Sequence, residues 1–71
     1  MNHRARLLAY LREDREEISR RIDRFSSGTV QLVEKREGKF QNVTSEALVR
    51  LYRQLGEVGA LIHEAEISPD A

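Results

Sequence analysis

The chain contains no cysteine and no tryptophan, and its 71 residues include one proline. Without cysteine, disulfide bonds and thiolate metal sites are excluded, and the cytoplasm is the compartment we expect. No apolar run approaches the roughly 20 residues of a membrane-spanning helix, so we expect no membrane contact. An excess of charge of one sign is also missing, because twelve Lys and Arg balance twelve Asp and Glu. A chain of zero net charge has no overall attraction to nucleic acid.

Residues 2–26 contain neither proline nor glycine and are rich in arginine, glutamate and leucine. The apolar side chains that recur here with heptad spacing are Leu8, Leu11, Ile18, Ile22 and Phe25. This spacing is typical of a coiled-coil seam, in which Arg15 takes the one vacant position. Gly28 follows, and glycine readily adopts the left-handed conformation that ends helices. The pattern predicts a first helix over residues 2–26.

Residues 45–67 carry a second seam with strict heptad spacing. Its members are Leu48, Leu51, Leu55, Val58, Ile62 and Ala65. Thr44 precedes the seam, and its hydroxyl can accept an unpaired amide of the first helical turn. Ser68 and Pro69 end the pattern. We therefore expect a second helix over residues 45–67 and a tail over residues 68–71.

The two seams match each other when the chain folds back on itself. Pairing Phe25 with Leu48 brings all six positions of one seam opposite the six of the other, as an antiparallel helix pair requires. Net charge favours the same arrangement: residues 1–27 hold seven Arg and five acidic residues, a net +2, and residues 45–71 hold two and five, a net −3. Helices of opposite sign attract each other weakly when they lie side by side.

Arg15 is the anomaly of this pairing, because it lies opposite Val58 in the apolar seam. A buried, unpaired guanidinium costs several kcal/mol. We expect the aliphatic stem to cover Val58 while the charged end reaches water or an acid such as Glu57. A role in setting register or oligomeric state is the alternative.

The connector, residues 29–44, is rich in residues that favour β-structure. These residues are Val30, Leu32, Val33, Phe40 and Val43. Glu37 and Gly38 can form a two-residue turn that pairs Lys35 with Phe40. The same register pairs Leu32 with Val43. The sequence favours a short β-hairpin, or otherwise an extended connector, between the two helices.

A first helix that continues to about Arg36 is the alternative for this segment. Leu32 continues the first seam and supports it. Gly28 opposes it, because glycine inside a helix costs about 1 kcal/mol relative to alanine.

The fold class expected from these patterns is mainly α, a single domain over residues 1–71 built on an antiparallel two-helix hairpin. Several residues beside the seams widen the apolar stripe or thin one side of the second helix: Leu7, Tyr10, Tyr52, Gly56, Gly59 and Leu61. One partner helix cannot cover so wide a stripe, whereas a second copy of the chain can. Short chains often depend on self-association for stability. The sequence thus predicts a homodimer that forms a four-helix bundle.

Catalytic and metal-binding patterns are weak in this chain. A nucleophile needs an adjacent base and an orienting third group. His3 and His63 are the two imidazoles, and neither lies near the central serines. A metal site in a helical bundle requires a Glu-x-x-His spacing, whereas Ala60 stands three residues before His63. We expect no catalytic residue, no metal and no cofactor.

Lys35, Arg36 and Lys39 make the tip of the predicted hairpin basic and are candidate phosphate contacts. The same charges can keep an exposed strand edge from aggregating. The first-helix arginines alternate with acidic residues, which is typical of a solvated helix face. We therefore expect a non-enzymatic protein–protein interaction or scaffold module. A nucleic-acid-associated regulator that uses the hairpin tip and the first-helix arginines is the alternative.

Overall fold

A computed structural model of the chain describes residues 3–67. Its elements, in chain order, are helix α1 (His3–Ser26), strand β1 (Val33–Arg36), strand β2 (Lys39–Asn42) and helix α2 (Thr44–Ile67). Two helices joined by a β-hairpin are thus confirmed, and the alternative of a first helix reaching Arg36 is wrong, because α1 ends at Ser26. The predicted start at Asn2 and the predicted tail, residues 68–71, lie outside the described residues.

Gly28 ends α1 by adopting a φ of 79°. Its amide donates a hydrogen bond to the carbonyl of Phe25 (3.3 Å), and the Val30 amide donates to the carbonyl of Arg24 (3.2 Å). The hydroxyl of Ser27 donates to the same Arg24 carbonyl at 3.2 Å. These bonds pair carbonyls that the last turn of a helix leaves without a partner, and the chain turns away from α1.

Glu37 and Gly38 form the turn of the β-hairpin. Their φ values are 51° and 79°, and positive φ at both central residues is the requirement of a type I′ turn. The strands pair antiparallel with Lys35 opposite Phe40, as predicted. This turn type matches the right-handed twist of the two strands, which explains why two residues suffice.

Asn42 and Thr44 join the hairpin to α2. The carboxamide oxygen of Asn42 accepts the amide (3.0 Å) and the hydroxyl (2.6 Å) of Thr44. The hydroxyl oxygen of Thr44 in turn accepts the amide of Leu32 at 3.0 Å. The predicted capping role of Thr44 is therefore wrong: its hydroxyl binds the base of the hairpin. The first helical bond of α2 runs from the Ala47 amide to the Val43 carbonyl (3.0 Å), so α2 begins one residue earlier than predicted.

The two helices run antiparallel and share one layer of apolar side chains. Arg4, near the start of α1, donates hydrogen bonds to the carbonyls of Ala65 and Glu66, near the end of α2, both at 2.6 Å. The buried cluster between the helices consists of Leu11, Ile18, Ile22, Leu51, Val58 and Ile62. Half-buried side chains that pack against it are Leu8, Phe25, Leu48 and Leu55. Ala65, the last residue of the predicted seam, is half-buried.

Two buried residues, Val43 and Ala47, lie outside the predicted seams. Val43 is 2% exposed and stands between β2 and α2. Ala47 lines a groove together with Phe25 and Leu51.

The chain is elongated, 52 × 23 × 17 Å, because the two helices lie side by side and no third layer packs on them. Over residues 3–67, neither helix combines the length and the apolar character needed to cross a bilayer.

Candidate interaction surface

The residues predicted as an oligomer interface lie on two different sides of the helix pair. Leu7 and Leu61 line one groove, with side chains that are 46% and 50% exposed. Tyr52 is nine residues from Leu61, or about two and a half helical turns, so it points the opposite way from α2. Gly56 and Gly59 lie within about a quarter turn of Tyr52 around the helix axis. The predicted set therefore does not form one continuous surface.

One side of the helix pair, called here the groove face, is lined from end to end by residues of both helices. It comprises three depressions in a row. The first two adjoin, because Arg21 and Gln54 line both. The third follows about one helical turn further along, where Leu7 and Leu61 are found.

The first depression of the groove face lies beside the hairpin and has a volume of about 540 Å³. Phe25 and Leu51 belong to its helical walls. Val30 and Leu32, from the chain that leads into β1, add apolar side chains that are 41% and 40% exposed. This end of the groove face therefore offers an apolar lining to whatever covers it.

Three arginines, Arg21, Arg24 and Arg50, also line this first depression, and no acidic residue does. We call them the basic band. The Arg21 Nε atom lies 3.4 Å from a carboxylate oxygen of Glu17. Arg24 and Arg50 form no salt bridge with any residue between positions 3 and 67. Two cations beside apolar side chains are therefore open to a partner's carboxylates.

Three acidic residues, Asp14, Glu17 and Glu57, line the middle depression, and we call them the acidic band. A hydrogen bond from Arg20 to Glu17 (3.0 Å) and the charges of Arg20, Arg21 and Arg24 hold the pKa of the Glu17 carboxyl below its ordinary value. Glu17 is therefore negatively charged at neutral pH. Asp14 and Glu57 make no salt bridge within the described part of the chain.

Tyr10 is 68% exposed and sits on the outer side of α1. The residues that share its shallow depression are Glu13, Asp14, Glu16, Glu17 and Arg20. Asp14 and Glu17 also belong to the acidic band, so Tyr10 lies at the border of the groove face.

Arg36, one of the candidate phosphate contacts, is bound by two carboxylates. Its Nη2 atom lies 2.9 Å from Glu46, in the first turn of α2, and 3.3 Å from Glu34 of the same strand. The hydrogen bonds from Arg36 to Glu46 and Glu34 raise the pKa of its guanidinium above the ordinary value. The side chain thus ties the hairpin to α2, and a phosphate would have to displace both acids.

Lys35 and Lys39, the other two candidates, lie on opposite strands near the tip. The Lys35 ammonium is 5.7 Å from the centre of the Phe40 ring, which is within the range of a cation–π contact. Lys39 is exposed and stands opposite Arg36 in the strand register. The three side chains therefore do not form one cluster of unengaged cations.

The remaining residues singled out in the sequence are exposed. His3, His63 and Arg15 all have exposed side chains. Between residues 3 and 67, no group of three His, Asp or Glu side chains is placed to hold a metal ion. The chemistry that this surface supports is therefore the apolar and ionic contact of the groove face.

No protein-family model, no curated protein and no solved structure matches this chain.

Proposed function

We propose that this chain is a non-enzymatic protein–protein interaction or scaffold module that acts as a homodimer, with two helical hairpins assembled into a four-helix bundle. The observation that carries the proposal is the area the single chain leaves exposed. It exposes 5683 Å², whereas a compact monomer of 8.2 kDa exposes roughly 4,500 Å². The excess is on the order of 1,200 Å², and each partner in a standard protein interface buries about 800 Å².

The side chains that make up the exposed surface support the same proposal. Within residues 3–67, ten large apolar side chains are at least 40% exposed, whereas eight apolar residues are buried. The ten exposed residues are Leu7, Tyr10, Val30, Leu32, Val33, Phe40, Val49, Tyr52, Leu61 and Ile67. Four of them, Leu7, Val30, Leu32 and Leu61, lie on the groove face. An exposed apolar surface of this kind favours association, and a second copy supplies a further layer to cover it.

The charges of the hairpin tip favour a protein partner over nucleic acid. Arg36 is already bound by Glu34 and Glu46, and the chain carries no net charge that would attract a polyanion. We expect no binding to random duplex DNA even at low ionic strength. Micromolar binding with a steep salt dependence would instead support the nucleic-acid-associated regulator.

Sedimentation equilibrium tests the homodimer directly. We expect a particle of twice the 8.2 kDa chain mass at tens of micromolar, with dissociation on dilution. We also expect the melting temperature to rise with protein concentration, because association stabilises the folded state by mass action. A compact monomer whose melting temperature does not change with concentration would refute the proposal.

A further inference from the structure

The geometry points to a specific arrangement of the two copies: they meet antiparallel through the groove face, so that the basic band of each copy lies on the acidic band of the other. This inference rests on the proposed homodimer and names the surface and the twofold axis through which it forms. The excess area alone does not show which side of the helix pair forms the dimer interface. The order of charges along the groove face indicates that this side does.

Each acidic residue of the band stands seven positions from an arginine of the basic band. Asp14 precedes Arg21 and Glu17 precedes Arg24 on α1. Seven residues are two helical turns, so each acid and its arginine share one side of the helix about 10 Å apart. The bands are therefore two adjacent zones of opposite charge, which meet where Arg21 lies 3.4 Å from Glu17.

Helix α2 repeats this order in reverse along the chain, with Arg50 seven positions before Glu57. Because the two helices run antiparallel, Arg50 falls beside the α1 arginines and Glu57 beside the α1 acids. Both helices thus contribute to both bands, and the separation of about 10 Å is the same on each helix.

Gln54 marks the level at which the charge changes sign. Gln54 is uncharged and lines both the first and the middle depression. Arg21 lines both depressions as well. A twofold axis perpendicular to the helices at this level places the three acids of one copy on the three arginines of the other, and the reverse. A twofold axis parallel to the helices would place like charges together, which opposes association.

The same antiparallel axis also covers exposed apolar side chains at both ends of the groove face. Leu7 and Leu61 lie beyond the acidic band, whereas Val30 and Leu32 lie beside the basic band. Rotation about the axis brings the first pair of one copy toward the second pair of the other. All four side chains are between 40% and 50% exposed in the single chain, so their burial adds an apolar contribution to the ionic one.

A charge-reversal experiment tests this arrangement. One variant carries Arg24→Glu and Arg50→Glu, and the other carries Asp14→Arg and Glu57→Arg. We expect each variant alone to self-associate at least about tenfold more weakly than the wild type, because like charges then face each other. We expect an equimolar mixture to form a heterodimer of restored affinity, since every reversed band then meets its complement.

Arg53→Glu is the matched control for Arg50→Glu, since it makes the same charge change on α2 but lies outside the three depressions. Its self-association should equal that of the wild type. Circular dichroism identifies any double variant that fails to fold, and the single variants Arg50→Glu and Glu57→Arg then replace the doubles. In the wild type, added salt should weaken the dimer, because both bands are solvent-accessible before association.

The possible outcomes separate this inference from the proposed homodimer. A dimer whose affinity is unchanged in both charge-reversed variants, and in high salt, would overturn the antiparallel groove-face arrangement while leaving the homodimer intact. Weakening without recovery in the mixture would likewise overturn the assigned pairing of the bands. A wild-type chain that is monomeric would overturn both.

Discussion

Glu37 has a φ of 51° in the hairpin turn, a conformation that suits asparagine or glycine better than glutamate. For residues with a side chain, the left-handed region costs about 1–2 kcal/mol, and asparagine offsets part of this cost through local hydrogen bonds. We expect Glu37→Asn to raise the free energy of unfolding by about 0.5–1 kcal/mol. Urea denaturation followed by circular dichroism measures the change.

Glu37→Gln is the control, because it removes the same charge without improving the backbone preference. We expect its stability to match that of the wild type. If both variants gained the same stability, repulsion of the carboxylate would be the cause and the turn conformation would not.

Individual residues also show which structural features can be predicted from the sequence. The turn at Glu37 and Gly38 was predictable because turn chemistry depends on adjacent residues. The exposure of Arg15 agrees with the expectation that a guanidinium in the seam keeps its charged end in water. The burial of Val43 was not predictable from heptad spacing, since this residue precedes the helix and is covered only where the hairpin meets α2.

At the scale of the elements, the hairpin is attached to α2 by the side chain of Thr44. Its hydroxyl oxygen accepts the Leu32 amide at 3.0 Å, and the hydroxyl donates to Asn42. Thr44→Val keeps the shape and removes both bonds. We expect the free energy of unfolding to fall by about 1 kcal/mol. Chemical denaturation measures this loss, and faster hydrogen exchange of the Leu32 amide locates it.

Thr44→Ser provides the comparison, because serine retains the hydroxyl that accepts the Leu32 amide. It should keep most of the stability and the slow exchange of that amide. Slow exchange of the Leu32 amide in Thr44→Val, or an equally large loss of stability in Thr44→Ser, would contradict the role of the hydrogen bonds, because valine lacks only the hydroxyl and serine keeps it.

Elements were easier to predict than the contacts between them. The helices and the hairpin follow from heptad spacing, from the stop at Gly28 and from a two-residue turn, all of which are local patterns. The bond between Thr44 and Leu32 spans twelve positions and depends on how the hairpin leans on α2. Local rules assigned the Thr44 hydroxyl to the nearest helix start for that reason.

At the scale of the whole molecule, the sequence indicates that apolar residues flank the seams but not on which side they lie. Leu7 and Leu61 belong to the groove face, whereas Tyr52, Gly56 and Gly59 point away from it. The sequence gives only the width of the apolar stripe around each helix. Both sets of residues widen that stripe, so its width does not show which set faces a second copy. The charge order on the groove face becomes visible only when α1 and α2 are placed side by side.

The two interior glycines of α2 test which side a second copy covers. A Cβ added at Gly56 or at Gly59 meets no atom within 4 Å, and neither residue has a positive φ. Alanine is more favourable than glycine inside a helix by about 1 kcal/mol. We therefore expect Gly56→Ala and Gly59→Ala each to raise the free energy of unfolding by about that amount, as measured by thermal and urea denaturation.

The dimer dissociation constant of the same two variants gives the decisive measurement. In the antiparallel groove-face dimer these glycines remain in solvent, so the added methyl groups should leave association unchanged while the fold becomes more stable. Had the two copies met through the outer side of α2, close approach of the helix backbones would require glycine there, and alanine would push the copies apart. Weaker association in either variant would therefore move the interface from the groove face to the side of α2 that carries Tyr52.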